Sequence, residues 1–272
     1  MGIDPRLLTA VETLIAAHAR DGQVPLIGVS GAQGSGKTTL ARAAAARFGA
    51  AHLSLDDVYL DRATRLGMAQ TVHPLFATRG PPLTHNLGLL TQVVDDLRRA
   101  GPDTVTTLPA FDKRTDDRPP FADWPRFRGR PRAILMDGWC LGATAQGPEA
   151  LLRPVNALER DIDADGVWRG LVNAALDGFY RKVFDAFDAI LFLKAPSFDV
   201  VLDWRCEQEA ALLELSPATL PASRRAELAL FIQYFERITR HMLEGGVRAD
   251  LIVRLDRDRG VLGIDRPARP VP

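Results

Sequence analysis

Short runs of apolar residues alternate with longer stretches of mixed apolar and polar residues along this chain. Five runs have the length and β-branched content of strands buried on both faces, and stretches of helical character separate them. The five predicted strands span residues 25–30, 52–55, 133–137, 189–194 and 250–255. Such alternation predicts an α/β fold, with a mostly parallel five-stranded core sheet flanked by helices in three layers.

Polar residues that accept bonds from free amide groups mark the starts of three predicted helices. These helices run over residues 86–99, 197–215 and 223–244, with caps at Asn86, Ser197 and Ser223. Two more are predicted, an amphipathic helix within residues 1–22 and an Ala-rich helix over residues 40–48. The β-branched segment 103–108 predicts an extra strand at the edge of the sheet.

A Gly-rich segment follows the first predicted strand and precedes the Ala-rich helix. Residues 31–38 read Gly-Ala-Gln-Gly-Ser-Gly-Lys-Thr. Without side chains in the way, backbone amides in such a turn can converge on phosphate oxygens, and the next helix directs its positive dipole end at them. Lys37 is expected to reach the β- and γ-phosphates and Thr38 to bind Mg²⁺. The alternative is a Gly-rich surface turn.

Acidic residues end the second and third predicted strands, where a doubly wound sheet binds ligands. Asp56 and Asp57 follow the second strand, and a carboxylate there can accept the proton of a substrate hydroxyl that attacks the γ-phosphate. The alternative role for this pair is capping a helix. Asp137 ends the third strand after four apolar residues, the layout in which an acid holds Mg²⁺ directly or through a water.

Cationic and polar side chains cluster in two Pro-rich loops between the second and third strands. Arg79 and His85 belong to the first loop, and the charged segment 109–118 leads into the second. Stiff loops of this kind can hold cations over an acidic substrate, although charge runs are usually solvated connections. Arg205, after the fourth strand, can act as a lid arginine on phosphates or pair with Glu209 on a surface helix.

Composition narrows the classes of function. The 272 residues carry 34 Lys+Arg and 34 Asp+Glu, so the chain lacks the basic excess expected of a nucleic-acid or anionic-membrane binder. Two cysteines, Cys140 and Cys206, have neither metal-ligand spacing nor a disulfide pattern. No signal peptide or membrane span is recognisable, so a cytoplasmic location is predicted. Oligomeric state is not predicted.

The combination of these motifs resembles the plant and fungal type of the D-glycerate 3-kinase family. That family is a branch of the P-loop kinases that also contains uridine kinase, phosphoribulokinase and bacterial pantothenate kinase. The motifs follow the family's order between about residues 24 and 255. They comprise residues 31–39, 54–59, 79–80, 84–86, 109–113, 137–142 and 204–209.

The resemblance implies a single P-loop kinase domain over residues 1–272, with acceptor loops at about 60–132, a lid at about 197–217 and a C-terminal tail from about 260. It implies ATP and Mg²⁺ as cofactors and a small hydroxy acid, D-glycerate, as acceptor. The catalytic residues would be Lys37, Asp56 and Arg205. Nucleotide contacts would come from Gly31, Ala32, Gln33, Gly34, Ser35, Gly36, Lys37, Thr38 and Thr39, metal contacts from Thr38 and Asp137, and acceptor contacts from Asp57, Tyr59, Arg79, His85, Asp112, Lys113 and Arg118.

Two residues and the length of one loop depart from the family pattern and bear on the identity of the acceptor. Asp137 stands where the family usually has Glu, the loop before Arg118 is shorter, and Asn86 replaces an Asp. Two alternative classes stay open. A regulatory switch of the GTPase kind would carry Asn-Lys-x-Asp after the fourth strand, where residues 193–196 read Leu-Lys-Ala-Pro. A uridine-kinase relative would place aromatic and amide groups in the acceptor loops.

Overall fold

A six-stranded sheet forms the centre of the molecule in a computed structural model that describes residues 2–20 and 22–267. Its strand order is β2-β5-β1-β6-β7-β8, and a separate two-stranded sheet contains β3 and β4. The strands are β1 Leu26–Gly31, β2 Ala51–Ser54, β3 Val105–Thr107, β4 Arg126–Arg128, β5 Ile134–Gly138, β6 Ala189–Lys194, β7 Leu251–Leu255 and β8 Val261–Asp265.

Helices cover both faces of the sheet, which makes three layers. They are α1 Pro5–His18, α2 Lys37–Phe48, α3 Arg62–Thr71, α4 Leu87–Arg99, α5 Pro148–Leu151, α6 Ala157–Ile162, α7 Val167–Ala175, α8 Arg181–Asp185, α9 Val200–Leu212 and α10 Ala222–Leu243. A π-helical turn, Leu176–Tyr180, joins α7 to α8. Among the described residues, no helix is long and apolar enough to cross a membrane.

The sheet separates two hydrophobic cores. Successive strand residues point to opposite faces, so Ile27 and Leu135 enter one core while Leu26 and Met136 enter the other. Helices α1, α2 and α9 cover the first core, and α4, α7, α8 and α10 cover the second. The expected α/β architecture is therefore confirmed, and the five predicted core strands all form parallel pairs.

Two expectations about strands are wrong. Residues 103–108 do not join the edge of the core sheet, because β3 pairs antiparallel with β4 instead. Residues from about 260 are not simply a tail, because β8 pairs antiparallel with β7 and makes the sheet six-stranded. Arg6 at the start of α1 donates to the Val261 carbonyl at 2.9 Å, so the first helix lies beside this last strand. Residues 268–272 of the predicted tail lie outside the described residues.

Of the three predicted helix caps, one is observed and two helices begin elsewhere. Asn86 caps α4 as predicted by accepting from the Leu89 amide at 2.9 Å. Helix α9 begins later than expected, after Asp199, while Ser197 accepts from the Asp199 amide in the preceding turn. Helix α10 begins at Ala222, directly after Pro221, and has no side-chain cap, so the predicted cap at Ser223 is wrong.

Candidate active site

The carboxyl ends of β1, β2 and β5 meet at one edge of the sheet, and the functional side chains that the sequence predicts lie mostly at that edge. Ser54 of β2 is in register with Asp137 of β5, and Ser30 of β1 is in register with Gly138. Each chain segment leaving these ends therefore starts beside the others. Parallel pairing thus places Ser54 beside Asp137 and Ser30 beside Gly138, although these residues are 83 and 108 positions apart in sequence.

The Gly-rich loop after β1 has the conformation that its sequence predicts. Gly34 and Gly36 have φ values of 80° and 88°, in the left-handed region that favours glycine, and Gly36 precedes the first turn of α2. Lys37 folds back over the loop, and its ammonium lies 3.4 Å from the Ala32 carbonyl. Burial lowers the pKa of Lys37, and the charges of Asp137 and Asp56 oppose that shift.

Thr38 and Asp137 form the candidate metal site. The Thr38 hydroxyl donates to one carboxylate oxygen of Asp137 at 2.7 Å, and Asp137 is 1% exposed. Among the described residues, no group of three or more His, Cys, Asp or Glu side chains is arranged to hold a metal ion by itself. A hydroxyl and one carboxylate suit Mg²⁺, which takes its remaining oxygens from phosphates and water.

His52 is a neighbour of this site that the sequence analysis missed. Its Nε2 lies 2.7 Å from the second carboxylate oxygen of Asp137, so the acid is held on both sides. His52 and Ser54 are two residues apart on β2 and therefore share a face of the sheet. A polar residue at that spacing inside an apolar strand was the available signal.

Asp56 is held by two partners in a short 3₁₀ turn after β2. Ser54 caps that turn by accepting from the Asp56 amide at 3.3 Å, so the capping role considered for Asp56 and Asp57 is wrong. Tyr59 donates its hydroxyl to Asp56 at 2.6 Å, and Lys113 donates its ammonium at 2.5 Å. Burial raises the pKa of Asp56, but the Lys113 charge and these bonds outweigh it and keep the carboxylate ionised.

Asp57 faces a different environment although it is the next residue. It makes no hydrogen bond to any residue that the structure describes. Burial, followed by the negative charge of Asp56, raises the pKa of Asp57 to about 6. The crevice therefore contains one firmly ionised acid beside one that gains a proton in mildly acidic solution.

His85 belongs to an aromatic group beside Asp56. Its ring lies 4.8 Å from that of Tyr59, which in turn meets Phe111 edge-on at 5.2 Å. Burial lowers the pKa of His85 to about 3, so the expectation that it supplies a positive charge is wrong. A neutral imidazole can donate or accept a hydrogen bond, but it cannot balance an acid.

Tyr180 fixes the orientation of His85 and was also missed. The π-helical turn buries Tyr180, whose hydroxyl accepts from the Leu83 amide at 3.0 Å and lies 2.7 Å from Nδ1 of His85. The tyrosine hydroxyl has one proton to give, so the geometry fits donation to Nδ1 and places the imidazole proton on Nε2. Nε2 is buried without a partner in the described chain.

A buried arginine connects the two acceptor loops. Arg65 is 1% exposed, and its guanidinium donates to the carbonyls of Leu60, Ala77 and Asp116 at 3.2, 2.7 and 2.7 Å. Arg79 pairs with the Asp116 side chain and lies 5.7 Å from the Phe111 ring centroid. These contacts hold the predicted acceptor loops against each other, and sequence alone gives no signal for them.

The remaining predicted site residues, Arg118, Asp112 and Arg205, have different surroundings. Arg118 donates to the Tyr59 carbonyl at 2.8 Å and lies beside the crevice. Asp112 is engaged within its own loop, where its carboxylate accepts from the Arg114 amide at 2.9 Å. Arg205 donates to Gln208 at 2.7 Å and forms the alternative i,i+4 pair with Glu209 at 4.0 Å, although its side chain is only 22% exposed.

Buried polar atoms without a hydrogen-bond partner concentrate in the predicted site. Within the described chain five of the seven such atoms belong to Gln33, Ser35, His85, Arg118 and Arg205, and the other two, in Thr106 and Trp168, lie elsewhere. An unsatisfied buried group costs free energy, so it calls for a partner such as a ligand. A cleft of about 470 Å³ opens beside Arg79 and Arg205, between α10 and the acceptor loops.

No family profile matches this sequence. A curated relative described as an uncharacterized kinase, mug58 of Schizosaccharomyces pombe, is 29% identical over 205 residues, which are 71% of this chain and 72% of the relative. Among solved structures, a D-glycerate 3-kinase from Cryptococcus neoformans superposes with a TM-score of 0.78 at 20% identity, over 97% of this chain and 100% of that one.

Two further structures have the same fold. The YGR205w protein matches with a TM-score of 0.70 at 19% identity, over 97% of this chain and 99% of that one. A putative fructose transport system kinase from Silicibacter sp. TM1040 matches with a TM-score of 0.60 at 17% identity, over 92% and 99%. This chain has the P-loop kinase fold, and its similar proteins by sequence and by structure include kinases.

Proposed function

We propose that this protein is an ATP-dependent kinase that transfers the γ-phosphoryl group to a hydroxyl of a small carboxylate-bearing metabolite, namely D-glycerate, giving 3-phosphoglycerate. The observation that carries the proposal is one crevice that combines a phosphate loop, the Thr38–Asp137 pair and the ionised Asp56. Phosphoryl transfer needs these three parts: an anion cradle, a metal site and a group that orients the attacking hydroxyl.

The proposed chemistry assigns separate tasks to these residues. The loop amides and Lys37 bind the phosphates, and Thr38 and Asp137 would hold Mg²⁺, which offsets phosphate charge when bound. Asp56 accepts the proton of the acceptor hydroxyl as that oxygen attacks. An ionised acid is a weak base, but a loose transition state needs orientation more than early proton removal. Tyr59 and Lys113 provide that orientation through their bonds to Asp56.

Arginines in both acceptor loops support a carboxylate-bearing acceptor. Arg79 and Arg118 flank the aromatic group beside Asp56, and Arg118 has a buried nitrogen without a partner in the described chain. A planar guanidinium is well suited to binding a carboxylate. The neutral His85 fits a hydroxyl group of the same molecule. The D-glycerate 3-kinase fold match adds support, while uridine- or pantothenate-kinase-like acceptors and a regulatory ATPase are the alternatives.

A panel of acceptors in a coupled ADP-release assay tests the proposal. Glycerate, uridine, pantothenate, ribulose 5-phosphate and glycerol would be compared with saturating ATP and Mg²⁺. We expect glycerate to give the highest kcat/KM and glycerol, which lacks the carboxylate, to give far less. Equal use of glycerol or uridine would contradict acid recognition, and ATP hydrolysis that no acceptor accelerates would favour the regulatory ATPase.

A further inference from the structure

The turn between β7 and β8 lies against the phosphate loop. Residues 256–260 form this turn, and Asp256 accepts at its side chain from the amides of Asp258 and Gly260 at 2.9 and 2.7 Å. Arg259 has a φ of 67°, a left-handed conformation that is uncommon for a residue with a side chain. The turn thus holds Arg259 in one unusual backbone conformation, which aims its side chain at the loop.

Arg259 contacts two parts of the candidate site. Its Nε donates to the carbonyl of Gly34 in the phosphate loop at 2.6 Å. Its Nη2 donates to Glu207 on α9 at 2.6 Å, and its guanidinium carbon lies 4.9 Å from the ring centroid of Trp204 on the same helix. Although arginine is usually a surface residue, this side chain is only 23% exposed.

Gly34 is the point where the phosphate loop is packed most tightly. A Cβ atom there would lie 2.4 Å from the Cβ of Trp204, so the loop backbone rests directly on α9. A peptide group is planar, so a bond that fixes the Gly34 carbonyl also fixes the amide of Ser35. That amide donates to the Ala32 carbonyl at 3.2 Å and closes the turn of the loop.

We propose that Arg259 is a positioning residue for nucleotide binding. It holds the Gly34 peptide in the orientation that the phosphate cradle requires, and it braces this peptide on α9, the helix that carries Arg205. The inference rests on the nucleotide-binding part of the proposed function and is independent of the acceptor. Arg259 acts through the loop backbone and is not expected to contact the reacting atoms.

Binding of a non-hydrolysable ATP analogue, adenylyl imidodiphosphate with Mg²⁺, tests this role by calorimetry. We expect Arg259→Met to raise the Kd about tenfold, the effect of losing one charge-assisted hydrogen bond that orders the loop. The matched control is Arg257→Met in the same turn. Arg257 is 67% exposed, pairs with Asp203 at 3.6 Å and makes no side-chain contact with the loop, so its variant should keep the wild-type Kd.

Kinetics separate positioning from general stability. Arg259→Met should raise the KM for ATP by the same factor as the Kd, while kcat and the acceptor KM change little. If Arg259→Met lowers the melting temperature but binds the analogue as tightly as wild type, the role is merely structural and the proposal is wrong. Should the methionine variant not fold, Arg259→Gln takes its place, and a wild-type Kd in that folded variant overturns the proposal equally.

A further variant distinguishes the two sides of the contact. Glu207→Gln removes the ion pair with Arg259 but leaves the bond to Gly34. We expect the Kd of Glu207→Gln for the analogue to stay within about threefold of wild type. A rise as large as that of Arg259→Met would mean that Arg259 acts through α9 and not through its bond to Gly34, which contradicts the proposal. Absence of binding by the wild-type chain would contradict the proposed function and this inference together.

Discussion

Asp56 and Asp57 are adjacent in sequence and lie in the same crevice, but their carboxyl groups have opposite electrostatic surroundings. Lys113 and Tyr59 bind Asp56, so its pKa falls, whereas Asp57 receives no such bond and its pKa rises to about 6. The negative charge of the ionised Asp56 disfavours a second negative charge on Asp57, which adds to the effect of burial on the pKa of Asp57. Their separate environments allow the roles of the acids to be tested one at a time.

Replacing Asp56 and Asp137 should affect turnover in different ways. Asp56→Asn is expected to lower kcat by about 10² to 10⁴ with little change in ATP affinity, because a general base is lost. Asp137→Asn should instead raise the Mg²⁺ concentration needed for half-maximal rate, since a metal ligand is weakened. Steady-state rates over a magnesium titration measure both effects. If the two variants show the same magnesium dependence, Asp56 is not the base.

Asp57→Asn should stabilise the unliganded protein, and only at higher pH. The folded pKa of Asp57, about 6, lies above the value of roughly 3.9 for an unfolded chain. Its contribution to stability is therefore present below pH 4 and lost as the pH rises through 6. An asparagine avoids that loss, so we expect a gain of about 1 to 2 kcal/mol at pH 8, reduced from the full shift because the site is partly exposed.

Urea unfolding at pH 8 and pH 4 measures this gain for Asp57→Asn. At pH 4 the variant and the wild type should have nearly equal free energies of unfolding. A gain of the same size at both pH values would show that charge is not its cause.

The two acceptor-loop arginines provide the test of acid recognition. Arg79→Met and Arg118→Met should each lower kcat/KM for glycerate about ten- to a hundredfold, because a hydrogen bond to a charged group contributes about 1.5 to 3 kcal/mol. The KM for ATP should stay nearly constant. Arg114→Met is the matched control for Arg118→Met, since Arg114 lies in the same loop as Arg118 with a side chain 93% exposed. Unchanged acceptor KM values in both variants would contradict a carboxylate site.

At the scale of single residues, the sequence predicts the position of a site residue where the function depends on a short contiguous motif. The positions of the phosphate loop, Asp56 and Asp137 at one sheet edge were predictable because motifs at strand ends are short and local. His52, Arg65 and Tyr180 were not, because their roles depend on contacts with residues distant in sequence. The charge of His85 was misjudged for a related reason, since burial that lowers its pKa cannot be read from residue type.

Among the larger elements, the first acceptor loop is fixed by packing on α10. Gly80 has a φ of 119°, and a Cβ there would lie 2.4 Å from the buried ring of Phe235. The loop is also held by Trp139, which donates to the Gly80 carbonyl at 3.0 Å. The backbone of this loop therefore packs directly against the Phe235 ring of α10.

Gly80→Ala should consequently displace the loop. We expect a loss of about 1 to 3 kcal/mol in unfolding free energy from the clash and the backbone strain. The acceptor KM should rise, while the KM for ATP should change little. Gly67→Ala on α3 is the control, because a Cβ there meets no atom within 4 Å. Equal stability and equal acceptor KM for both variants would show that the loop adapts freely.

Helices and strands that their own residues specify were predicted well. Strands whose position depends on which other strand they pair with were not. The core strands are short β-branched runs, and Asn86 caps α4 through its own side chain. By contrast, β3 has the composition of an edge strand but pairs with β4, and β8 lacks the continuous apolar run of a core strand. Pairing partners are set by tertiary structure, which propensity does not encode.

At the scale of the whole molecule, the nucleotide site occupies the edge of the sheet and contributes little to either core. Lys37→Ala should therefore keep the melting temperature of the unliganded protein. In the wild type, Mg²⁺ and ATP at a hundred times the Kd should add about 2.7 kcal/mol of stability. The variant should lose that gain, as measured by thermal unfolding with and without nucleotide, and its turnover as well.

Lys182→Ala is the control for this experiment, because Lys182 is exposed on α8, away from the phosphate loop. It should keep both the nucleotide-induced rise and the activity. A full rise in melting temperature for Lys37→Ala would contradict the phosphate-cradle interpretation.

The contact between Arg6 and the Val261 carbonyl has a consequence for chain connectivity. It places the beginning of α1 beside the start of β8, and because β8 runs antiparallel to β7, its last residue Asp265 lies next to Ile252 at the other end of that strand pair. A flexible linker that joins residue 267 to the beginning of α1 must therefore run back along β8, roughly 15 Å at about 3.3 Å per strand residue. New ends opened in the exposed turn at residues 102–103 would then leave the order of the strands in space unchanged while reordering them along the chain.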